Sequence, residues 1–335
     1  MICGPSSRYR GRRLSPLALL APLISACGGT LDAGTDLTER LPVGPENPVI
    51  LTNDGPNDNW HGEYAVLLAH ADGPPLAGIV VSTGGMWSNL GENLAGWQAL
   101  VASARASGLA TVPDPITSEG APLQRPSDGD IDATVPNDSE GARFIVETSA
   151  RLSRPDLPLV VATGGRLTDV ADAYLIDPSI TERVVVVASL GRGFSRDEQV
   201  APMGVPNGEM DAWAGAIVAQ RFRYVQVSAY YDHVRDFPAE RLAELPDNAF
   251  CDRIREKQPQ ILGTPLASDQ VSVLSLGVSE FAREVTRVSF AESESGESVL
   301  VPNATGSAWL VNASDGDAVS AKIWELLLDP ASFGE

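Results

Sequence analysis

Hydrophobic positions along this chain fall into two alternating textures. Continuous apolar runs rich in β-branched residues occupy positions 49–51, 76–81, 157–162, 184–188 and 224–228. Between them lie longer stretches with apolar residues at three- and four-residue spacing, at 63–71, 94–106, 140–152, 167–175, 211–220 and 269–282. The first texture predicts buried strands and the second predicts amphipathic helices. Their alternation predicts an α/β fold, a doubly wound and mostly parallel sheet with helices on both faces. Late in the chain, runs at 285–288, 299–301 and 308–311 predict a β-rich excursion before a closing helix at 318–328. Residues 113–138 break the pattern with Pro, Asp, Ser and Gly, and a loop that long inside a compact domain is expected near the mouth of a site.

The first predicted strand ends in the loop Asn53-Asp54-Gly55-Pro56-Asn57-Asp58-Asn59. In open α/β sheets ligands bind beyond the carboxyl ends of the strands, and an oxygen-only donor set suits a hard cation such as calcium. The same residues also suit an ordinary tight turn.

The amino-terminal segment follows a different rule. Arg8, Arg10, Arg12 and Arg13 precede a short apolar run at 16–24 and then Ser25-Ala26-Cys27, the layout of a secretory signal. Leu23-Ile24-Ser25-Ala26-Cys27 resembles the lipobox of bacterial lipoproteins. That resemblance implies a signal peptide over 1–26, lipidation of Cys27 and, with Gly28 following, outer-membrane sorting in the cell envelope. Residues 27–47 read as a flexible tether and 48–335 as one domain. The formal charge of −20 becomes −24 on loss of the four signal-region arginines, which argues against nucleic acid or anionic lipid as partners. Of the three cysteines, Cys251 alone would then remain as a free thiol, so no intramolecular disulfide is expected.

Three segments, in order, resemble the inosine/uridine-preferring nucleoside hydrolases. The loop after the first strand is similar to that family's DxDxxxDD pattern, with Asp54 and Asp58 at the second and third carboxylates and Thr52 and Asn59 at the first and fourth. Residues 159–171, containing Thr163-Gly164-Gly165-Arg166-Leu167-Thr168-Asp169, resemble its strand, TGGLTN loop and helix. Pro265-Leu266-Ala267-Ser268-Asp269 resembles its late HDP motif, with Ser268 in place of His; read alone, Asp269 could equally be a helix N-cap. A looser match sets Glu209-Met210-Asp211 where the family has Glu-Phe-Asn.

The resemblance implies calcium-dependent hydrolysis of the N-glycosidic bond of a ribonucleoside or related N-glycoside. Calcium would be held by Asp54, Asp58, Asn59, the Thr163 carbonyl and Asp269, and Asp54 would activate the water that the metal polarises. Asp211, Glu209 and Asn89 would hold the ribose, and His61 or His233 would serve the leaving group. Trp60, Trp87 and Trp213 are placed to stack on a base or to pack in the core. The alternative, favoured by Thr52, Asn59 and Ser268, is a catalytically degenerate lipoprotein of the same fold that binds a nucleoside or sugar. A homo-oligomer is expected from the family. Neither a G-x-S-x-G elbow nor a dinucleotide-binding G-x-G-x-x-G after the first strand is present.

Overall fold

The computed structural model describes residues 41–333 apart from 56–65, 67–74, 85–86, 119, 191–193, 195–199, 204–207, 228–238 and 262–279. The described strands form one ten-stranded sheet. They are β1 (Val49–Asn53), β2 (Leu76–Val81), β3 (Pro115–Thr117), β4 (Leu159–Thr163), β5 (Val184–Ser189), β6 (Ala201–Pro202), β7 (Arg223–Val227), β8 (Ala282–Glu292), β9 (Ser298–Pro302) and β10 (Ala308–Ser314). Their order is β3-β2-β1-β4-β5-β7-β10-β8-β9-β6. The pairings from β3 through β10 are parallel. The chain then folds back, and β8, β9 and β6 add antiparallel strands at that edge.

Six helices cover the sheet among the described residues: α1 (Leu90–Ala106), α2 (Glu140–Leu152), α3 (Thr168–Ile176), α4 (Ala212–Arg221), α5 (Ala249–Ile261) and α6 (Gly316–Leu328). Strand periodicity sends alternate residues to opposite faces. Val49 and Leu51 of β1, with Val185 and Val187 of β5, therefore join Trp97 of α1, Phe250 of α5 and Ile323 of α6 in one core. Ile50, Val184 and Val186 join Ile145 of α2, Val170 of α3 and Ile217 of α4 in the other. A strand such as β5, buried at every position, needs apolar residues on both faces, which is why it reads as an unbroken valine run rather than an alternation.

The mostly parallel, doubly wound sheet matches the sequence expectation; of the late excursion, β10 joins the parallel part while β8 and β9, with β6, form the antiparallel edge. Three elements depart from that expectation, one of them the two-residue strand β6. The 113–138 loop contains the three-residue edge strand β3, whose Pro115 sits where a missing N–H is tolerated. Helix α5, unpredicted, is polar on average and buries mainly Phe250, Cys251 and Ile254. Burial pushes the Cys251 thiol up to about 11, which makes it an inert core residue. The expected helix at 63–71, apart from the buried, helical Val66, and most of that at 269–282 lie outside the described residues.

The strand order also locates the crevice. From β1 the chain winds outward through β2 and β3, then returns to the other side of β1 at β4. This reversal is a topological switch point, where adjacent connections leave in opposite directions and open a cleft at the strands' carboxyl ends.

Candidate active site

The switch point brings together the ends of β1 and β4. Thr52 pairs with Thr163 across the sheet, and the Gly164 N–H donates to the Thr52 carbonyl at 3.0 Å. Asp54 and the Thr163-Gly164-Gly165 loop, more than a hundred positions apart, are thereby neighbours. Asp54 is only 4% exposed. Its backbone N–H donates to Asn53 Oδ1 at 2.7 Å, and its Oδ1 accepts the Gly55 N–H at 2.8 Å.

Glycines make room for this carboxylate. A Cβ on Gly84, in the loop after β2, would lie 1.6 Å from Asp54 Oδ2, so any side chain there would occupy the slot that Asp54 uses. A Cβ on Gly165 would come within 3.4 Å of both the Asp54 nitrogen and Ser82 Oγ. Gly55 lies under the Trp87 ring, where a Cβ would meet the indole at 2.7 Å.

Two features bear on whether a cation fits here. The donors in place are a buried carboxylate and backbone and hydroxyl oxygens, the hard ligands that calcium takes. Thr52 Oγ1, 3% exposed and beside Thr163, has no hydrogen-bond partner, so a buried oxygen is left over at this point. Among the described residues no group of three or more His, Cys, Asp or Glu converges in the manner of a metal site. Asp58, Asn59 and Asp269, the other expected ligands, lie outside the described residues, as do His61, His233, Trp60, Ser268 and Cys27 and the side chain of Glu209. The described part thus fits a hard cation in the kind of donor.

Asp211, expected to hold ribose, makes three hydrogen bonds within the fold. Its Oδ2 accepts the Leu123 N–H at 2.9 Å and the Thr168 hydroxyl at 2.7 Å, and its Oδ1 caps α4 through Ala214 N at 3.0 Å. Its position just before a helix makes the side chain an N-cap. Asn89 likewise caps α1, accepting from Gly91 N at 3.1 Å and Glu92 N at 3.2 Å. Trp213 is a packing residue, not a stacking platform. It is 8% exposed, its Nε1 donates to Thr134 Oγ1 at 3.0 Å, and the Arg125 guanidinium lies 4.9 Å from its ring centre.

Sequence reasoning missed two buried carboxylates beside the site. Asp169 Oδ1 accepts the hydroxyls of Ser118 and of Ser139, the latter at 3.0 Å, which fastens both ends of the 118–139 segment to the first turn of α3. Burial raises the Asp169 carboxyl above the ordinary range, against the opposing pull of the two serines. Asp172 accepts three consecutive backbone N–H groups, from Asn137 at 2.8 Å, Asp138 at 3.2 Å and Ser139 at 2.9 Å. Asp138 takes a left-handed conformation (φ 57°), which an Asp tolerates better than most residues and which helps turn the N–H groups inward. Arg166, from the glycine loop, adds a bond to the Gly120 carbonyl at 2.6 Å. Carboxylates three apart in an otherwise apolar helix, Asp169 and Asp172, were the available signal.

A mostly parallel α/β sheet with a carboxylate and a glycine loop meeting at its switch point defines the class. No family model and no curated protein sequence matches the chain. Solved structures do. An inosine-uridine preferring nucleoside hydrolase from Bacillus anthracis aligns with a TM-score of 0.62 at 13% identity, covering 84% of this chain and 99% of that one. An inosine-guanosine nucleoside hydrolase aligns at 0.60 and 13%, covering 84% and 98%. A purine-preferring ribonucleoside hydrolase from Gardnerella vaginalis aligns at 0.52 and 13%, covering 85% and 98%. The chain has the nucleoside-hydrolase fold over nearly the whole of those chains, with a sequence far diverged from theirs.

Proposed function

We propose that this protein hydrolyses the N-glycosidic bond of ribonucleosides or related N-glycosides, depends on calcium, and works at the bacterial cell envelope anchored through Cys27. The observation that supports it best is the meeting of Asp54 with the Thr163 loop at the switch point of a fold shared with nucleoside hydrolases. Breaking this bond develops positive charge on the sugar, and a water must attack the face opposite the departing base. Asp54 is the general base: a buried carboxylate, oriented by the Gly55 N–H at 2.8 Å, takes the water's proton. Asp54 and the Thr163 carbonyl, joined by Asp58, Asn59 and Asp269, would hold calcium, which when bound polarises that water and the ribose hydroxyls. Glu209 and one of His61 and His233 complete the reading on the substrate side.

Ribose release from inosine, uridine and adenosine by the protein lacking residues 1–27 tests it. Asp54→Asn is expected to lower kcat by at least about 100-fold with an unchanged circular dichroism spectrum. An undiminished rate in that variant would remove Asp54 from the mechanism. Calcium and nucleoside binding without ribose release from any substrate would leave the degenerate binder, which the orphaned hydroxyl of Thr52 at a carboxylate position would then explain.

A further inference from the structure

Helix α1 reaches Asp54 and the loop after β2 by two side chains that no motif singles out. Asn93 and Trp97 stand one turn apart, so they share the face turned toward the sheet, and both are buried, Trp97 completely. Asn93 Nδ2 donates to the Ser82 carbonyl and to the Trp87 carbonyl, each at 2.9 Å, while Gly84 N donates to the same Trp87 carbonyl at 2.8 Å. This closes the loop after β2 that supplies the Gly84 slot. The Trp97 indole N–H donates to the backbone carbonyl of Asp54 at 2.9 Å. The side chain of Asp54 thus rests in a glycine slot held by Asn93, and its peptide is held by Trp97.

We infer that Trp97 is a positioning residue for Asp54, setting the direction of its carboxylate by pinning the carbonyl that follows it. A loop of Asn, Asp, Gly and Pro has little intrinsic preference for one orientation, and a buried carbonyl that loses its donor turns to find another. A hydrogen bond from a fully buried indole excludes that turn because both partners are out of reach of water. Trp97 touches no reacting atom in this scheme and acts through Asp54. The hydrolytic part of the inference rests on the proposed function, whereas the geometric part extends to cation binding alone.

Trp97→Phe keeps most of the ring's bulk and deletes the donor. Should the smaller ring unfold the core, 3-benzothienylalanine incorporated at position 97 keeps the bicyclic shape and still lacks the N–H. Trp324→Phe, in the same core on α6 and with the Arg241 guanidinium over its ring, is the control for shortening a buried tryptophan that does not bond the Asp54 carbonyl. The measurements are calcium affinity by calorimetry and kcat and KM for inosine. The donor-less variants are expected to bind calcium and turn over about tenfold more weakly, with KM for inosine little changed, while Trp324→Phe matches native in both. Native calcium affinity and kcat in the benzothienyl variant would overturn the inference and leave the proposed function standing. Weaker calcium binding in that variant, in a protein whose native form releases no ribose, would support the positioning role and sink the hydrolase reading. A native protein that binds no calcium and releases no ribose would overturn both.

Discussion

Asp169 is the residue whose burial most clearly opposes its own charge. Desolvation raises its carboxyl, so the folded state binds a proton more tightly than the unfolded chain does. By linkage, what this residue contributes to stability is fully present below its unfolded value of 3.8 and is lost as pH rises through the higher folded value. Asp169→Asn keeps an oxygen for both serine hydroxyls and removes the ionisation. The variant is therefore expected to melt above native at pH 8 and at the native temperature near pH 3.5; an equal difference at both pH values would assign the effect to packing. The same residue shows where reading the chain stopped short. Thr163-Gly164-Gly165 was legible through its resemblance to the nucleoside-hydrolase glycine loop, where glycine lets the main chain approach a ligand closely. Asp169, six residues after Thr163, looked like an ordinary first-turn helix carboxylate. Its partners Ser118 and Ser139 lie in distant segments, and only the fold makes them adjacent.

Among the elements, strong periodicity translated directly into structure. Helix α2 runs from Glu140 to Leu152 as its spacing predicts, with Ser139 capping it through Ala142 N at 3.2 Å. Strand β3 was hidden because three residues carry no period, and α5 because its buried face is narrow. The loop between β3 and α2 was expected near the site on grounds of length alone. Its definition comes from carboxylates on other elements, Asp172 and Asp169 on α3 and Asp211 before α4. Removing an acceptor shared by three backbone N–H groups leaves each to find water or go unpaired, at about 1–3 kcal/mol apiece if buried. Asp172→Ala is expected to lose roughly 2–4 kcal/mol in urea unfolding, since partial opening of the loop spares some of that penalty. Cleavage by trypsin or proteinase K within 120–137 should quicken in parallel. A destabilised variant with unchanged cleavage would place the loss in α3 and not in the loop.

At the scale of the whole molecule, a cation that binds only the folded protein must raise its melting temperature. Calcium at about 100 times its dissociation constant adds about 2.7 kcal/mol, on the order of 5 °C for a domain of this size. Excess chelator should reverse the rise. No shift with calcium at millimolar concentration would count against a metal bridging Asp54 and the β4 loop. What the chain alone determined was local: the strands, most helices, the alternation that makes a doubly wound sheet, and the resemblance that singled out Asp54 and Thr163. The strands, helices and alternation depend on spacing within a few residues, which periodicity records, and the resemblance rests on short motifs in order along the chain. What only the tertiary structure decided was adjacency: the pairing of Thr52 with Thr163, the Gly84 slot for Asp54, the Trp97 bond to its carbonyl, and the engagement of Asp211 by a loop and two helices. These depend on strand order and on which face a side chain occupies once the sheet is assembled, and neither leaves a local trace. Asp54 was therefore legible as a candidate from its own neighbours, whereas the groups that hold it in place were not.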